Sequence, residues 1–200
     1  MYRILKVLLL SLALPVCTPA HAGIAPDVLA RNASNEVVQI VKQDDDIKNA
    51  RSSKVYALVE SKILPHFDFE RMTKLAVARN WNNATADQQQ RLVDEFRSLL
   101  VRTYAASLSS VADYKIDFKP LRMNGDPDDV IVNSEVSKPG APPITIDYRM
   151  EKVGDSWKVY DVMVDNVSLV TVYRNSFNSE VRKGGIEGLL QTLARRNQRK

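Results

Sequence analysis

Between Asp113 and Asp165 the apolar residues recur at every second position, whereas on either side they recur every third or fourth. A period of two belongs to strands, whose successive side chains point to opposite faces, and a period near 3.6 belongs to helices. The period-two stretch falls into four segments. Tyr114, Ile116 and Phe118 alternate with charged residues; Val130, Val132 and Val136 share one face; Ile144, Ile146, Tyr148 and Met150 alternate with Thr145, Asp147, Arg149 and Glu151; and Gly154-Asp155 turns the chain into a last apolar segment. Strands are expected near 113–119, 129–137, 143–152 and 156–165, with "NGDPDD" and "SKPGAPP" as loops. Four strands with short connections imply an antiparallel meander with one face packed on helices, an α+β fold.

The flanking regions supply those helices. Val28 to Val41 and Val55 to Leu64 have helical apolar spacing, separated by the polar run "KQDDDIKNARSSK" and ended by Pro65. Asp68 is placed to cap a short amphipathic helix bearing Phe69, Met72 and Leu75 to Val77. A longer helix follows, opened by a capping box of Thr85 and Gln88. Its stripe is Leu92, Phe96, Leu99, Leu100, Tyr104 and Leu108, with Asp87 and Arg91 one turn apart on the other side.

The last strand does not fit its neighbours. Trp157 and Val159 sit on one parity, Tyr160, Val162 and Val164 on the other, so that both faces of the segment read as apolar. After Asp165-Asn166, apolar residues return at Val167, Leu169, Val170, Val172 and Tyr173 with helical spacing. Two adjacent elements thus offer more apolar surface than a sheet face and one helix seam use.

Two hundred residues, 44% hydrophobic and 26% charged, suit one domain with an ordinary core and exclude disorder over most of the chain. The first 22 residues read as an export signal: Arg3 and Lys6, an apolar run from Val7 to Leu14 too short to span a bilayer, and Ala20-His21-Ala22 as a cleavage site. Residues 23–200 then form a single domain. Leu14-Pro15-Val16-Cys17 resembles a lipoprotein box, but Pro15 and Val16 fit one poorly. Removing residues 1–22 takes the chain from 28 basic residues to 26 against 24 acidic, a net charge of +2, which is no nucleic-acid footprint. It also removes Cys17, the single cysteine, so the exported chain relies on its core.

Candidate chemistry is sparse. Asp147, Asp161 and Asp165 with Tyr148 and Tyr160 have the residue types of an NTF2-like isomerase site. Against this, His66 is the one histidine after processing, and the chain has no G-x-S-x-G elbow, no Walker-type glycine loop and no His/Cys cluster for a metal. No catalytic residue and no cofactor are assigned. Arg71, Arg79, Arg97, Arg102 and Arg149, and the basic tail "ARRNQRK", are candidates for rimming a pocket or meeting anionic headgroups.

"FDFERMTKLAVARNWNNATADQQQRLVDEFRSLLVRTYAASL" (67–108) and "YDVMVDNVSLVTVYRNSFNSEVRKGGIEGLLQTLARRN" (160–197) closely resemble the toluene-tolerance family. The most specific run is "YDV...VSLV..YR..F", and the likeness extends more weakly over the rest of the exported chain. Family members often have Gly where this chain has Ala78 and Asn166.

The resemblance implies a monomeric periplasmic phospholipid carrier. Its fold would be partly NTF2-like, a four-stranded antiparallel sheet packed against helices around an apolar lipid cavity. It would shuttle diacyl phospholipid between an inner-membrane ABC transporter complex with an MCE domain and an outer-membrane lipoprotein–porin complex, maintaining outer-membrane lipid asymmetry. A hopanoid is the alternative cargo. On this reading the surplus apolar surface meets acyl chains, with Met72, Leu75, Phe96, Leu100, Tyr104, Ile146, Tyr148, Val162, Val164, Val167, Leu169, Val170 and Tyr173 as the expected wall.

Overall fold

The computed structural model describes residues 23–49, 52–121 and 125–198. The expected export signal lies outside these residues. The alternating segments form one antiparallel meander: β1 (Lys115–Phe118), β2 (Asp129–Ser137), β3 (Ile144–Val153) and β4 (Ser156–Val164), each paired with the next. In β2 the alternation is realised directly. Val130, Val132, Ser134 and Val136 are buried, whereas Ile131 and Asn133 face solvent.

The sheet has five strands, not four. Val167–Ser168 forms β5, with Val167 opposite Val164 and Ser168 opposite Met163. The cause is the intervening dipeptide. Asp165 and Asn166 both adopt left-handed backbone, with φ of 46° and 64°. That is the requirement of a two-residue type I′ turn, which returns the chain antiparallel before any helix starts. Asn tolerates this conformation better than most residues.

A bulge in β4 accounts for the parity change in the sequence. Val159 pairs with Met150, but the next pairing joins Asp161 to Arg149, and Tyr160 is the extra residue. Because Trp157, Val159, Val162 and Val164 oppose Lys152, Met150, Tyr148 and Ile146 in that order, all four project from the same face. The strand therefore does not have two apolar faces. It has one apolar face, and Tyr160 is diverted to the other, where it joins the helical core.

Helices cover the apolar face and extend past the β4 edge. α1 (Pro26–Gln43) lays Leu29 and Ala30 on the sheet core of Phe118, Val130, Val132, Met150, Trp157 and Val159. The polar run after it is not simply a break, because Asp44 caps a one-turn helix, α2 (Asp45–Lys48), by accepting from the Asp46 and Ile47 amides. α3 (Ser52–Leu58) continues as a π-helical turn, Val59–Ile63, and a 3₁₀ turn, Leu64–His66, instead of one uniform helix. Phe67 then bridges to Val159, and the Asp68 amide donates to the Val159 carbonyl, so the chain satisfies the β4 edge at the bulge.

α4 (Phe69–Val77) starts at Asp68, whose carboxylate accepts from the Arg71 amide at 2.7 Å. It ends at Ala78, where φ 53° and ψ −133° are strained for a residue with a Cβ. α5 (Ala86–Tyr104) opens with the expected Thr85–Gln88 capping box. Leu108 falls beyond it, in a 3₁₀ run over Ala105–Asp113. α6 (Leu169–Gln198) breaks at Gly184-Gly185, where Gly185 has φ 65°. Its second arm folds back so that Thr192 donates to Glu180 and Asn197 to Glu95. α4, α5 and both arms of α6 enclose the main core around Phe96, Phe177, Met72, Leu92 and Leu193, while α1, α3 and the Ala105–Asp113 run form a separate cluster.

Candidate functional site

Between the sheet and the helices lies a groove of about 610 Å³, open to solvent and almost wholly apolar. The sheet supplies one wall through Ile146, Tyr148, Val162 and Val164, the residues that alternation and the bulge bring onto one face. Phe67, Phe69 and Met72 close it from α4 and its approach, and the π and 3₁₀ turns add Val59, Ile63 and Leu64. Leu100, Val101 and Tyr104 come from the end of α5, Ala105, Ser107 and Leu108 from the run after it, and Val167, Leu169 and Val172 from β5 and the start of α6.

The mouth is apolar too. Tyr104, Val164, Val167 and Val172 are 46%, 43%, 59% and 51% exposed, so the protein's own packing leaves this rim uncovered. Met72 at the base has no exposure. Among the described residues the groove lining includes no charged side chain. The Tyr148 hydroxyl reaches Ser134 and Ser34, and burial pushes its acidity down, so the phenol stays neutral.

Polar contacts hold the walls from outside the groove. Arg71 reaches from α4 across the β4 edge, donates to Asp129 at 2.9 Å and to Glu151, and lies over the Tyr160 ring 3.6 Å from its centroid. Tyr160 donates to the other Asp129 oxygen at 2.6 Å. This cluster anchors the helix that bears Phe69 and Met72. Burial raises the Glu151 carboxyl above its ordinary range, against the pull of Arg71. On β4, Asp161 is 3% exposed and accepts from Ser168 Oγ at 2.6 Å and the Val170 amide at 3.1 Å. Ser168 in turn caps α6 by accepting from the Thr171 amide. Asp161 thus ties the start of α6 to the sheet.

These contacts also place the residues considered for catalysis. Asp161 and Asp147 project from the sheet face opposite Tyr148, Tyr160 is bonded to Asp129, and Asp165 accepts from the Thr145 amide in the β-turn region. No carboxylate is brought beside a tyrosine in the groove among the described residues. Of the candidate arginines, Arg71 belongs to the clamp and Arg97 approaches Glu60 at 3.7 Å. Arg149 lies 5.6 Å from the Tyr160 ring centroid.

Of the residues named from the sequence as a lipid wall, Met72, Leu100, Tyr104, Ile146, Tyr148, Val162, Val164, Val167 and Leu169 line the groove. Leu75, Phe96, Val170 and Tyr173 do not; they pack in the main core. The aromatic cluster explains this: Phe96 has Tyr173 and Phe177 edge-on at 5.0 Å each, which fills the space beneath α5. Burial raises the Tyr173 hydroxyl to about 12. The wall residues that pattern reading missed include Val59, Ile63, Leu64, Phe67 and Phe69. Their one sequence sign is apolar density on both sides of Pro65-His66.

Sheet, helical layer and groove define an α+β protein with an open apolar groove between its sheet and its helices. The sequence pattern of the MlaC protein family matches residues 31–195, and the chain belongs to that family. It is 22% identical over 181 residues to the intermembrane phospholipid transport system binding protein MlaC of Haemophilus influenzae, covering 89% of this chain and 85% of that one. It is 21% identical to the toluene tolerance protein ttg2D of Pseudomonas putida, covering 90% and 82%. A solved phospholipid-binding protein from Ralstonia solanacearum, in complex with a phospholipid, superposes with a TM-score of 0.81 at 39% identity, over 87% of this chain and 97% of that one.

Proposed function

We propose that this protein carries a diacyl phospholipid through the periplasm, tails in the groove and headgroup at the mouth, between an outer-membrane lipoprotein–porin complex and an inner-membrane MCE-domain transporter. The observation that carries the reading is the uncovered apolar groove of about 610 Å³ between sheet and helices. The phospholipid bound by the Ralstonia relative supports the cargo, and the name of the Haemophilus relative supports a role between membranes. The partly NTF2-like description of the fold belongs to the same reading.

Energetics constrain the mechanism. A chain of about sixteen carbons gains roughly 13 kcal/mol on leaving water, at about 0.8 kcal/mol per methylene. A carrier removes such a chain from a bilayer only if its groove is nearly as dry as the membrane interior. Release then requires an acceptor that meets the apolar mouth directly, because exposing the chain to water restores the full cost. The role is binding and transfer, not bond chemistry.

Solvent extraction and mass spectrometry of protein purified from the cell envelope test the cargo. The expected result is diacyl phospholipid at about one molecule per chain. A hopanoid, or no lipid at all, overturns the reading.

A further inference from the structure

We infer that Tyr148 sets the tail length the groove accepts: its ring is the end stop that separates the open groove from the filled core on the same face of the sheet. This rests on the phospholipid reading above and specifies which tails that site prefers.

Exposure along the sheet wall gives the groove a depth. At the mouth Val164, paired with Ile146, is 43% exposed, and one rung inward Val162, paired with Tyr148, is half-buried. At the next rung Val159 and Met150 are 4% and 1% exposed and no longer line the groove. The face is apolar and continuous across these rungs, so the strand pattern does not end the groove. Packing ends it. Beyond Tyr148 the space is filled by Phe118, Val130, Val132, Met150, Trp157 and Val159.

Phe67, Tyr148 and Val162 both line the groove and pack against that core, so the boundary runs through them. Val162 has a short side chain, and Phe67 stacks on Phe69 along the helical wall with centroids 5.8 Å apart. Tyr148 instead crosses from β3 to α1. Its ring stacks on Phe118 at 6.2 Å with the planes 20° apart, and its hydroxyl reaches Ser34 on α1 and Ser134 on β2. These supports are held in turn. Arg31 donates to the Phe118 carbonyl at 3.3 Å, and Ser134 Oγ donates to the Ile146 carbonyl at 2.7 Å. Swinging the ring aside would strand its hydroxyl among apolar groups, so an arriving tail meets a fixed barrier.

A fixed end selects by length in a particular way. A methylene is nearly as well off in a dry groove as in the bilayer it leaves, so tails that fit are taken up without regard to length. Each methylene too many must lie in water, which lowers occupancy by about fourfold.

The test equilibrates delipidated, processed protein with phosphatidylcholine vesicles that contain equal amounts of phosphatidylethanolamines with tails of about 12 to 22 carbons. Native mass spectrometry reads which lipids are bound, and thermal unfolding confirms that each variant is folded. The parent should show level occupancy up to one tail length and a fall of about fourfold per carbon beyond it. Tyr148→Ala should move that break out by about four carbons and Tyr148→Leu by about two, so the smaller change serves if Tyr148→Ala does not fold. Tyr148→Phe keeps the ring and should leave the break in place. A parent with no break, a folded Tyr148→Leu or Tyr148→Ala variant with the break unmoved, or Tyr148→Phe moving it as far as Tyr148→Ala each overturns the inference and leaves the phospholipid reading intact. A folded parent that takes up none of these lipids overturns both.

Discussion

Filling the groove from the sheet side is the sharpest way to ask where the tails lie. Val162 sits in the groove wall directly opposite Tyr148 on β3, half-buried, on the face defined by the bulge. Replacing it by Trp adds seven side-chain heavy atoms, enough to displace about five methylenes of a bound chain. At about 0.8 kcal/mol each this removes roughly 4 kcal/mol of binding, or a Kd weaker by about a thousandfold. Because the groove is an open space and not a packed core, the usual overpacking penalty of about 1–3 kcal/mol should be largely avoided, and the thermal midpoint should stay near that of the parent. The control is the same bulk on the other face: Ile131 is 41% exposed, away from the groove, and Ile131→Trp should leave lipid content unchanged. Lipid extracted per mole of protein and a competition titration give the readout, with thermal unfolding on the same samples. A folded Val162→Trp variant that holds lipid like the parent refutes the placement of tails against β4.

Other consequences are independent of the cargo. Ala78→Gly relieves a left-handed backbone and should stabilise the protein by about 1 kcal/mol in urea unfolding, whereas an unchanged or lower midpoint would show that the strain is not there. Phe96→Ala removes a fully buried ring and should cost about 3–4 kcal/mol while leaving lipid per folded molecule unchanged; selective loss of lipid would place Phe96 in the site. Glu151 holds its proton more tightly in the folded state, so its contribution favours folding at low pH and is lost as pH rises from the ordinary value near 4.3 through its raised folded value. Glu151→Gln should flatten that slope of stability against pH, and urea midpoints measured across the window would expose an error if both proteins change in parallel.

How far the sequence could be read depended on how local each cause is. Strands β1 to β4 announce themselves because alternation and turn residues are properties of neighbours, and Asp68 and Thr85 cap helices for the same reason. β5 escaped because two residues show no period, although Asp165-Asn166 was the sign to follow. The sheet wall of the groove was legible through Ile146, Tyr148, Val162 and Val164, once any one of them was known to face inward. The helical wall was not. Phe96, Leu100 and Tyr104 lie on one stripe of α5, yet Phe96 is sealed by the first arm of α6 and Tyr104 opens to the mouth. Where a stripe stops being core and becomes cavity depends on a helix more than sixty residues away, and periodicity contains no such information. The π turn at Val59–Ile63 was invisible for a related reason: its apolar spacing is compatible with an ordinary helix.

The bulge at Tyr160 makes the groove's character depend on a count of residues as well as on their kinds. Upstream of it the apolar positions of β4 are Trp157 and Val159, downstream Val162 and Val164, and the extra residue is what reconciles the two parities. A substitution at Val162 or Val164 alters one contact. Deleting Tyr160 alone would straighten the strand and leave Val162 and Val164 facing the groove, whereas deleting Asp161 as well would rotate every position beyond it, presenting Met163 to the groove and turning the valines to solvent. It would also carry off the carboxylate that tethers the start of α6. The groove is therefore more sensitive to a change of length between Asp161 and Val164 than to a change of side chain there, because one residue gained or lost beyond the bulge exchanges its valines for the positions that face away.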